Sequence, residues 1–352
     1  MRIAELEPRI NHPAEVHLAT VVRNGCFPPK SYLTTNQVEF FYRDGEWQLP
    51  LQPRMDGLVR TEQGERLKVV EMNKLKEGEN VIEGSTEDGS EGIYVINLKK
   101  VGDNGGQFGF MQSEISRERR VDYPHLASVL RNSKKDNGKI VWVLGPAVVH
   151  SGGIESVEWL IQNGYVGALF GGNAIGVHDI EHAMFGTSLG LQDNLVPAKN
   201  GHRNHLEAIN LVRECGSIKK AVEAGLITHG IMFECIRNNV PFVLAGSIRD
   251  DGPLPDTITD NVEAQNAMRV HTIDASAAVM IATVLHSVAA GNMTPSYRVV
   301  NDDIQPIPII SVDTSEFAST KLVDRGSGQA YPVITNASNF LSLIVNELAK
   351  KN

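Results

Sequence analysis

KIVWVLGPAVVHSGG (residues 139–153) is followed, after one amphipathic segment, by VGALFGGNAIGVHDIEHAMFGTSLG (residues 166–190). The apolar run Ile140 to Leu144 stops at Gly145-Pro146, and the run Val166 to Phe170 stops at Gly171-Gly172. Between them Ile154, Val157, Leu160 and Ile161 recur at helical spacing. The pattern predicts strand, Gly-rich turn, helix, strand and Gly-rich turn, a βαβ unit. Parallel strands bring their carboxyl ends to one edge, where ligands bind and where helix N-termini favour anions. Glycine and proline also end strands that bind nothing, so ordinary turns are the alternative. Neither turn carries the dinucleotide fingerprint G-x-G-x-x-G. The nearest string, Gly326-Ser327-Gly328-Gln329-Ala330-Tyr331, lacks the third glycine and follows a polar stretch.

Helix and strand patterns go on alternating downstream. Helical spacing is expected over 202–214, 217–224, 228–238 and 261–270, and strands over 242–245, 277–282, 307–312 and 333–334. A final helix is expected after Asn336, with Phe340, Leu341, Ile344, Val345 and Leu348 inward. Such alternation predicts a doubly wound parallel sheet of the α/β class. Upstream the period changes. Val38 to Tyr42, Arg66 to Glu71, Asn80 to Glu83 and Gly92 to Leu98 read as short strands, with turns at Asp44-Gly45, Asp88-Gly89 and 103–106. The division expected is a β-rich domain over 1–112 and an α/β domain over 113–352.

The 352 residues are 41% apolar and 21% charged, and the net charge is −9 without a basic run. Nucleic acid and anionic membrane surfaces are therefore excluded as partners. No apolar run approaches the ~18 residues of a membrane span, and the N-terminal MRIAELEPRINHPAEV lacks a signal-type apolar region. Three scattered cysteines, Cys26, Cys215 and Cys235, suit a reducing cytoplasm and no disulfide framework.

Several residues at the expected strand ends can carry chemistry. Asp313 ends a strand and can accept both ribose hydroxyls of an adenosine, or cap the helix of Thr314-Ser315-Glu316. The loop Ala245 to Pro255 places Arg249, Asp250 and Asp251 after another strand. Arginine clamps carboxylates and aspartate manages amine protons; a surface turn with a local ion pair is the alternative. His178-Asp179-Ile180-Glu181-His182 matches the zinc pattern H-x-x-E-H but shows no third ligand, so no metal is assigned. His202 to His205 reads either as a pocket edge or as a helix start. Cys235 is a thiol for proton transfer or a core residue.

Taken together, FGFMQSEIS (108–116), GPAVVHSGG (145–153), GGNAIGVHDIEHAMFGTSLG (171–190), GHRNHLEAIN (201–210), VPFVLAGSIRDDGPLPDTITD (240–260) and LVDRGSGQA (322–330) resemble the archaeal-type ornithine cyclodeaminase family. The family is also known as LOR/SDH conserved-domain proteins and forms the C-terminal half of arginine dihydrolase/ornithine cyclodeaminase fusions. Weaker likeness runs upstream through Ser31 to Asn36, Gly45 to Trp47 and Met55-Asp56. It covers residues 26 to 352. The resemblance implies an NAD-binding fold like that of deoxyhypusine synthase and conversion of L-ornithine to L-proline and ammonia. The cycle it implies takes a hydride from the α-carbon and returns it to the cyclic imine, which leaves the cofactor unchanged. The cofactor-binding residues expected are Gly145, Pro146, Ala147, His150, Ser151, Gly172, Asn173, Ala174, His178, Gly246, Ser247, Asp313 and Thr314. Arg249 is expected to hold the substrate carboxylate and Asp250 or Asp251 to manage amine protons, with Cys235 ranked lower. A small amino-acid substrate and a homo-oligomer are expected.

Two departures bear on this expectation. The family usually has a further N-terminal domain ahead of the β-rich module, and the acidic stretch Glu83 to Glu91 is unlike it. Other readings consistent with the residues are another NAD-dependent amino-acid cyclodeaminase or dehydrogenase, a non-catalytic NAD-binding module, and a zinc hydrolase on His178, Glu181 and His182.

Overall fold

The computed structural model describes residues 1–61, 66–97, 121–192, 194, 196–315 and 330–350. The motifs 108–116 and 322–329 and the expected turn at 103–106 lie outside them. Two compact units emerge: the described residues of 1–120 with Pro295–Ile307, and those of 121–294, 308–324 and 330–352.

The first unit is antiparallel. Strands β1 (His17–Thr20), β4 (Leu58–Thr61), β5 (Leu67–Val70) and β6 (Asn80–Glu83) form one sheet in the order β1-β6-β4-β5. A second sheet joins β2 (Val38–Arg43), β3 (Glu46–Gln48) and β7 (Ile93–Ile96). Asp44 and Gly45 turn β2 into β3 with positive φ at both positions, the conformation that an Asp-Gly pair permits. Within this unit Tyr32 donates to the buried Glu39 at 3.0 Å.

The second unit carries one seven-stranded sheet, parallel throughout, in the order β11-β10-β9-β8-β12-β15-β16. Its strands are β8 (Lys139–Leu144), β9 (Ala168–Gly172), β10 (Phe242–Ala245), β11 (Thr257–Ile258), β12 (Ala275–Ile281), β15 (Ile309–Asp313) and β16 (Ala330–Ile334). Before β15 the chain forms the hairpin β13 (Tyr297–Val300) and β14 (Asp303–Pro306), which belongs to the first unit although it lies inside the span 113–352. There Tyr297 and Ile304 pack on Val38 and Phe40.

Central strands are apolar along their whole length because both faces are covered. Ile140, Trp142 and Leu144 of β8 enter one core, and Val141 and Val143 enter the other. Trp142 is fully buried, and its indole N–H donates to the Tyr165 carbonyl at 2.8 Å, so the ring leaves no polar atom unpaired. The first core is covered by α2 (Tyr123–Lys134), α4 (Ile154–Gln162) and α5 (Asn173–Phe185), by α6 (Asn204–Cys215), α7 (Ile218–Glu223) and α8 (Ile231–Arg237), and by α11 (Ala337–Ala349). The second is covered by α9 (Asn261–Thr272) and α10 (Val284–Met293). The short helix α3 (Ala147–His150) adds Val148 and Val149 to the first core, and α1 (Ile3–Leu6) belongs to the first unit. Ser217 and Asn336 cap α7 and α11, as their residue types favour.

From β8 the chain builds outward through β9, β10 and β11, then returns to lay β12 on the other side of β8. The strand order therefore reverses between β8 and β12. In an open parallel sheet the crevice at the carboxyl ends beside such a reversal is where ligands bind.

Candidate active site

At the reversal the backbones of two strand ends nearly touch. A β-carbon on Gly145 would lie 1.9 Å from the Ala282 carbonyl oxygen, so only glycine fits there. Beside this contact is a cavity of about 220 Å³ lined by Ala147 and Ser151 after β8, Ala282 after β12, Asp313 and Thr314 at β15, and Thr335 to Ala337 after β16. Four of the residues expected to hold the cofactor thus share one cavity: Ala147, Ser151, Asp313 and Thr314. Asp313 Oδ1 accepts from the Ser315 amide at 3.1 Å, a local turn that also fixes its side chain. The close-packed backbone contact thus lies next to a small cavity at the carboxyl edge of the sheet, with Ser151, Asp313, Thr314, Thr335 and Asn336 as its polar lining.

A second cluster lies on the other side of β8, at the ends of β9 and β10. Asn173, the first residue of α5, is buried and commits its amide to the following loop. Its Oδ1 accepts from the Leu254 amide at 2.9 Å and from Thr257 Oγ1 at 3.0 Å, and Nδ2 reaches Asp250 Oδ1 at 3.4 Å. Asp250 Oδ2 also accepts from the Ser247 amide at 2.7 Å. The carboxylate is thereby fixed at the strand edge, whereas Arg249 and Asp251 are exposed on the loop around it. Gly246 and Ser247 begin that loop. His286 of α10 meets the cluster from the opposite core: a β-carbon on Gly172 would lie 2.9 Å from its Cε1 and 3.4 Å from its Nε2. His286 was not among the sequence-derived candidates. A lone histidine in an apolar helix gives no local signal beyond its place just after the β12 end.

The third cluster is built on α5. Glu181 is fully buried. Its Oε1 accepts from Thr187 Oγ1 and the Gly190 amide, both at 2.8 Å, and its Oε2 from the Leu189 amide at 3.0 Å and His205 Nδ1 at 3.2 Å. Burial opposes ionisation of Glu181, but the neighbouring His178 and the bonds from His205, Gly190 and Thr187 outweigh it and hold the carboxyl well below the usual range. His178 lies between two other imidazoles, with ring centroids 4.5 Å from His150 and 4.9 Å from His205. His150 Nδ1 pairs with Ser188 Oγ at 2.9 Å, and burial lowers its pKa. The two histidines of the zinc-like motif do not converge: His178 faces His205, and His182 faces His229 at 6.4 Å. The third residue that the sequence motif lacked is thus His205, and His178, Glu181 and His205 bring their ligand atoms within 4.8 Å of one another. Because both Glu181 oxygens already hold the 187–190 segment and His205, a metal would have to displace bonds that shape the loop.

Asp179, next to this group, faces the other way. Its carboxyl accepts from the amides of Ile231 and Met232, both at 2.8 Å, and so caps α8 from a different helix. Burial pushes it up to about 7 despite these bonds. Cys235 lies on α8, fully buried in the apolar core. Burial, with the charges of Asp179 and Glu234, drives its thiol far above the ordinary range and disfavours the thiolate. The proton-transfer role expected of Cys235 does not fit this position.

Comparison with known proteins places this geometry. A model of the arginine dihydrolase ArgZ-like C-terminal Rossmann fold matches residues 124–344, and one of the ArgZ-like C-terminal first region matches residues 39–124. The chain is 42% identical to the ornithine cyclodeaminase of Methanopyrus kandleri, over 96% of this chain and 80% of that protein. The chain belongs to the archaeal-type ornithine cyclodeaminase family. Within this family it is also 40% identical to the bifunctional arginine dihydrolase/ornithine cyclodeaminase AgrE of Nostoc sp., over 96% of this chain and 47% of that protein. Among solved structures, a conserved LOR/SDH protein of Methanococcus maripaludis superposes with a TM-score of 0.85 at 38% identity, covering 95% of this chain and 98% of that one. The ternary complex of AgrE with ornithine and NAD⁺ superposes with a TM-score of 0.61 at 39% identity, covering 96% of this chain and 46% of that one. No helix among the described residues is long and apolar enough to cross a membrane.

Proposed function

We propose that this member of the family is an NAD-dependent ornithine cyclodeaminase that converts L-ornithine to L-proline and ammonia. The observation that carries the reading is the match, over nearly the whole chain, to a relative whose structure holds ornithine and NAD⁺ together. The strand-end geometry supports it. The Gly145–Ala282 approach and the Asp313 cavity fit the adenosine side of NAD, and the Asp250 cluster lies across β8 from it.

When bound, NAD supplies a hydride acceptor that can give the hydride back at the end of the cycle. The chain's own residues hold and orient the amino acid. Asp250, fixed by Ser247 and Asn173, offers a carboxylate for an ammonium group. Arg249, on the same loop, offers a guanidinium for the substrate carboxylate. Asp251 is exposed and ranks below Asp250 in this account. Incubating the purified protein with NAD⁺ and L-ornithine, and measuring proline, ammonia and reduced nicotinamide, tests the proposal. Proline and ammonia in equal amounts without accumulated NADH are expected; bound NAD with no proline would move the substrate to another amino acid.

A further inference from the structure

The imidazole of His286 is held in a way that packing alone does not require. Thr283 occupies the N-cap position of α10 yet makes no capping bond to the helix. Its hydroxyl instead pairs with His286 Nδ1 at 3.1 Å. That contact fixes the ring and turns its other edge, Cε1 and Nε2, onto Gly172 at the carboxyl end of β9. A β-carbon at position 172 would meet the ring at 2.9 Å, so a side chain there would have to displace it. Nε2 forms no hydrogen bond among the described residues. The charged group that acts on the ring is Asp250, from the loop after β10. Burial lowers the pKa of His286, and the Asp250 charge partly opposes this.

Resting on the cyclodeaminase reading, we propose that His286 is the catalytic proton carrier of the ring-closing step, with Nε2 shuttling protons between the two substrate nitrogens and Thr283 as its positioning residue. After the α-carbon has given up its hydride, the substrate carries an α-iminium and a δ-ammonium. Nε2 takes a proton from the δ-ammonium, and the freed lone pair forms the bond to the α-carbon. The imidazolium returns that proton to the α-nitrogen. The ring nitrogen then gives a second proton to Nε2, its lone pair forms the ring carbon–nitrogen double bond, and the old carbon–nitrogen bond breaks with its electron pair on the departing nitrogen, which takes that proton from the imidazolium. The δ-nitrogen has then lost two protons, the α-nitrogen leaves as ammonium with two more, and the ring is neutral again. The step exchanges no electrons with the cofactor.

The test compares wild-type protein with His286→Gln, His286→Ala and Thr283→Val, each loaded with NAD. His286→Gln should retain bound NAD and lose about 10²- to 10⁴-fold in kcat. Added imidazole should restore part of the activity of His286→Ala. Thr283→Val should stay active and shift the acid limb of the pH–rate profile, which a purely structural role would leave in place. Active wild type alongside His286→Gln within threefold of it, or Thr283→Val with an unmoved profile, would overturn the assignment of His286 alone. Wild type that makes no proline would overturn the cyclodeaminase reading and this proposal with it.

Discussion

Gly145 and Ala282 meet where the strand order reverses, and a β-carbon on Gly145 would be driven to 1.9 Å from the Ala282 carbonyl oxygen. Since that oxygen is backbone, it cannot rotate away. Gly145→Ala must therefore push β8 and β12 apart at their carboxyl ends. The expected outcome is a loss of about 1–3 kcal/mol in stability, read by denaturant unfolding, together with weaker NAD binding, read by calorimetry.

Glu181→Gln should be costly out of proportion to its size. The amide can accept at one oxygen only, and its NH₂ would face an amide donor of the 187–190 segment. Removing one member of so buried a charged network is expected to cost about 3 kcal/mol near pH 7. Because the folded-state pKa of Glu181 is depressed, its contribution is present above the ordinary glutamate range and is lost as pH falls through the depressed value. Unfolding curves of the two proteins should converge in strong acid.

Asp179 and Glu39 behave in the opposite sense. Burial pushes each up to about 7, so the folded state holds protons that the unfolded chain has released. Stability from these groups is full below the ordinary carboxylate range and is lost as pH rises toward about 7, at most about 1.4 kcal/mol per pH unit for each proton. Asp179→Asn should flatten the slope that belongs to its unit while leaving the Glu39 share, which thermal melts from pH 4 to 7 would read.

Asp250 and Asp251 should separate cleanly. Asp250 is fixed by the Ser247 amide and Asn173, whereas Asp251 is exposed. Asp250→Asn is expected to lower kcat about 10²-fold or more with NAD still bound. Asp251→Asn should change it little. Steady-state kinetics with a cofactor-retention assay would check both.

The parallel sheet was legible because its strands are buried on both faces, so Ile140 to Leu144 and Phe242 to Ala245 read as unbroken apolar runs between turn residues. The hairpin Tyr297–Pro306 was not read, although Asn301-Asp302, both at positive φ, is the kind of pair that turns a two-residue hairpin. Its strands mix Arg298, Asp303 and Gln305 with apolar residues, which hides the alternation. At the site, Asp250 and Asp313 stood out because they follow strand ends. His205 was read only as part of a pocket edge or a helix start and His286 not at all, since what defines them is a contact with Glu181, 24 positions away, and with the backbone of Gly172. Spacing within a motif cannot report contacts of that range; it drew attention instead to His182, which the helix turns toward His229.

The central claim is that one hydride leaves the substrate and returns to it. L-Ornithine deuterated at the α-carbon tests this directly. With catalytic NAD⁺ in ordinary water, the account predicts proline that keeps the deuterium at its α-carbon, and no net NADH. Proline that has exchanged the label for solvent hydrogen, or no proline at all, would contradict it.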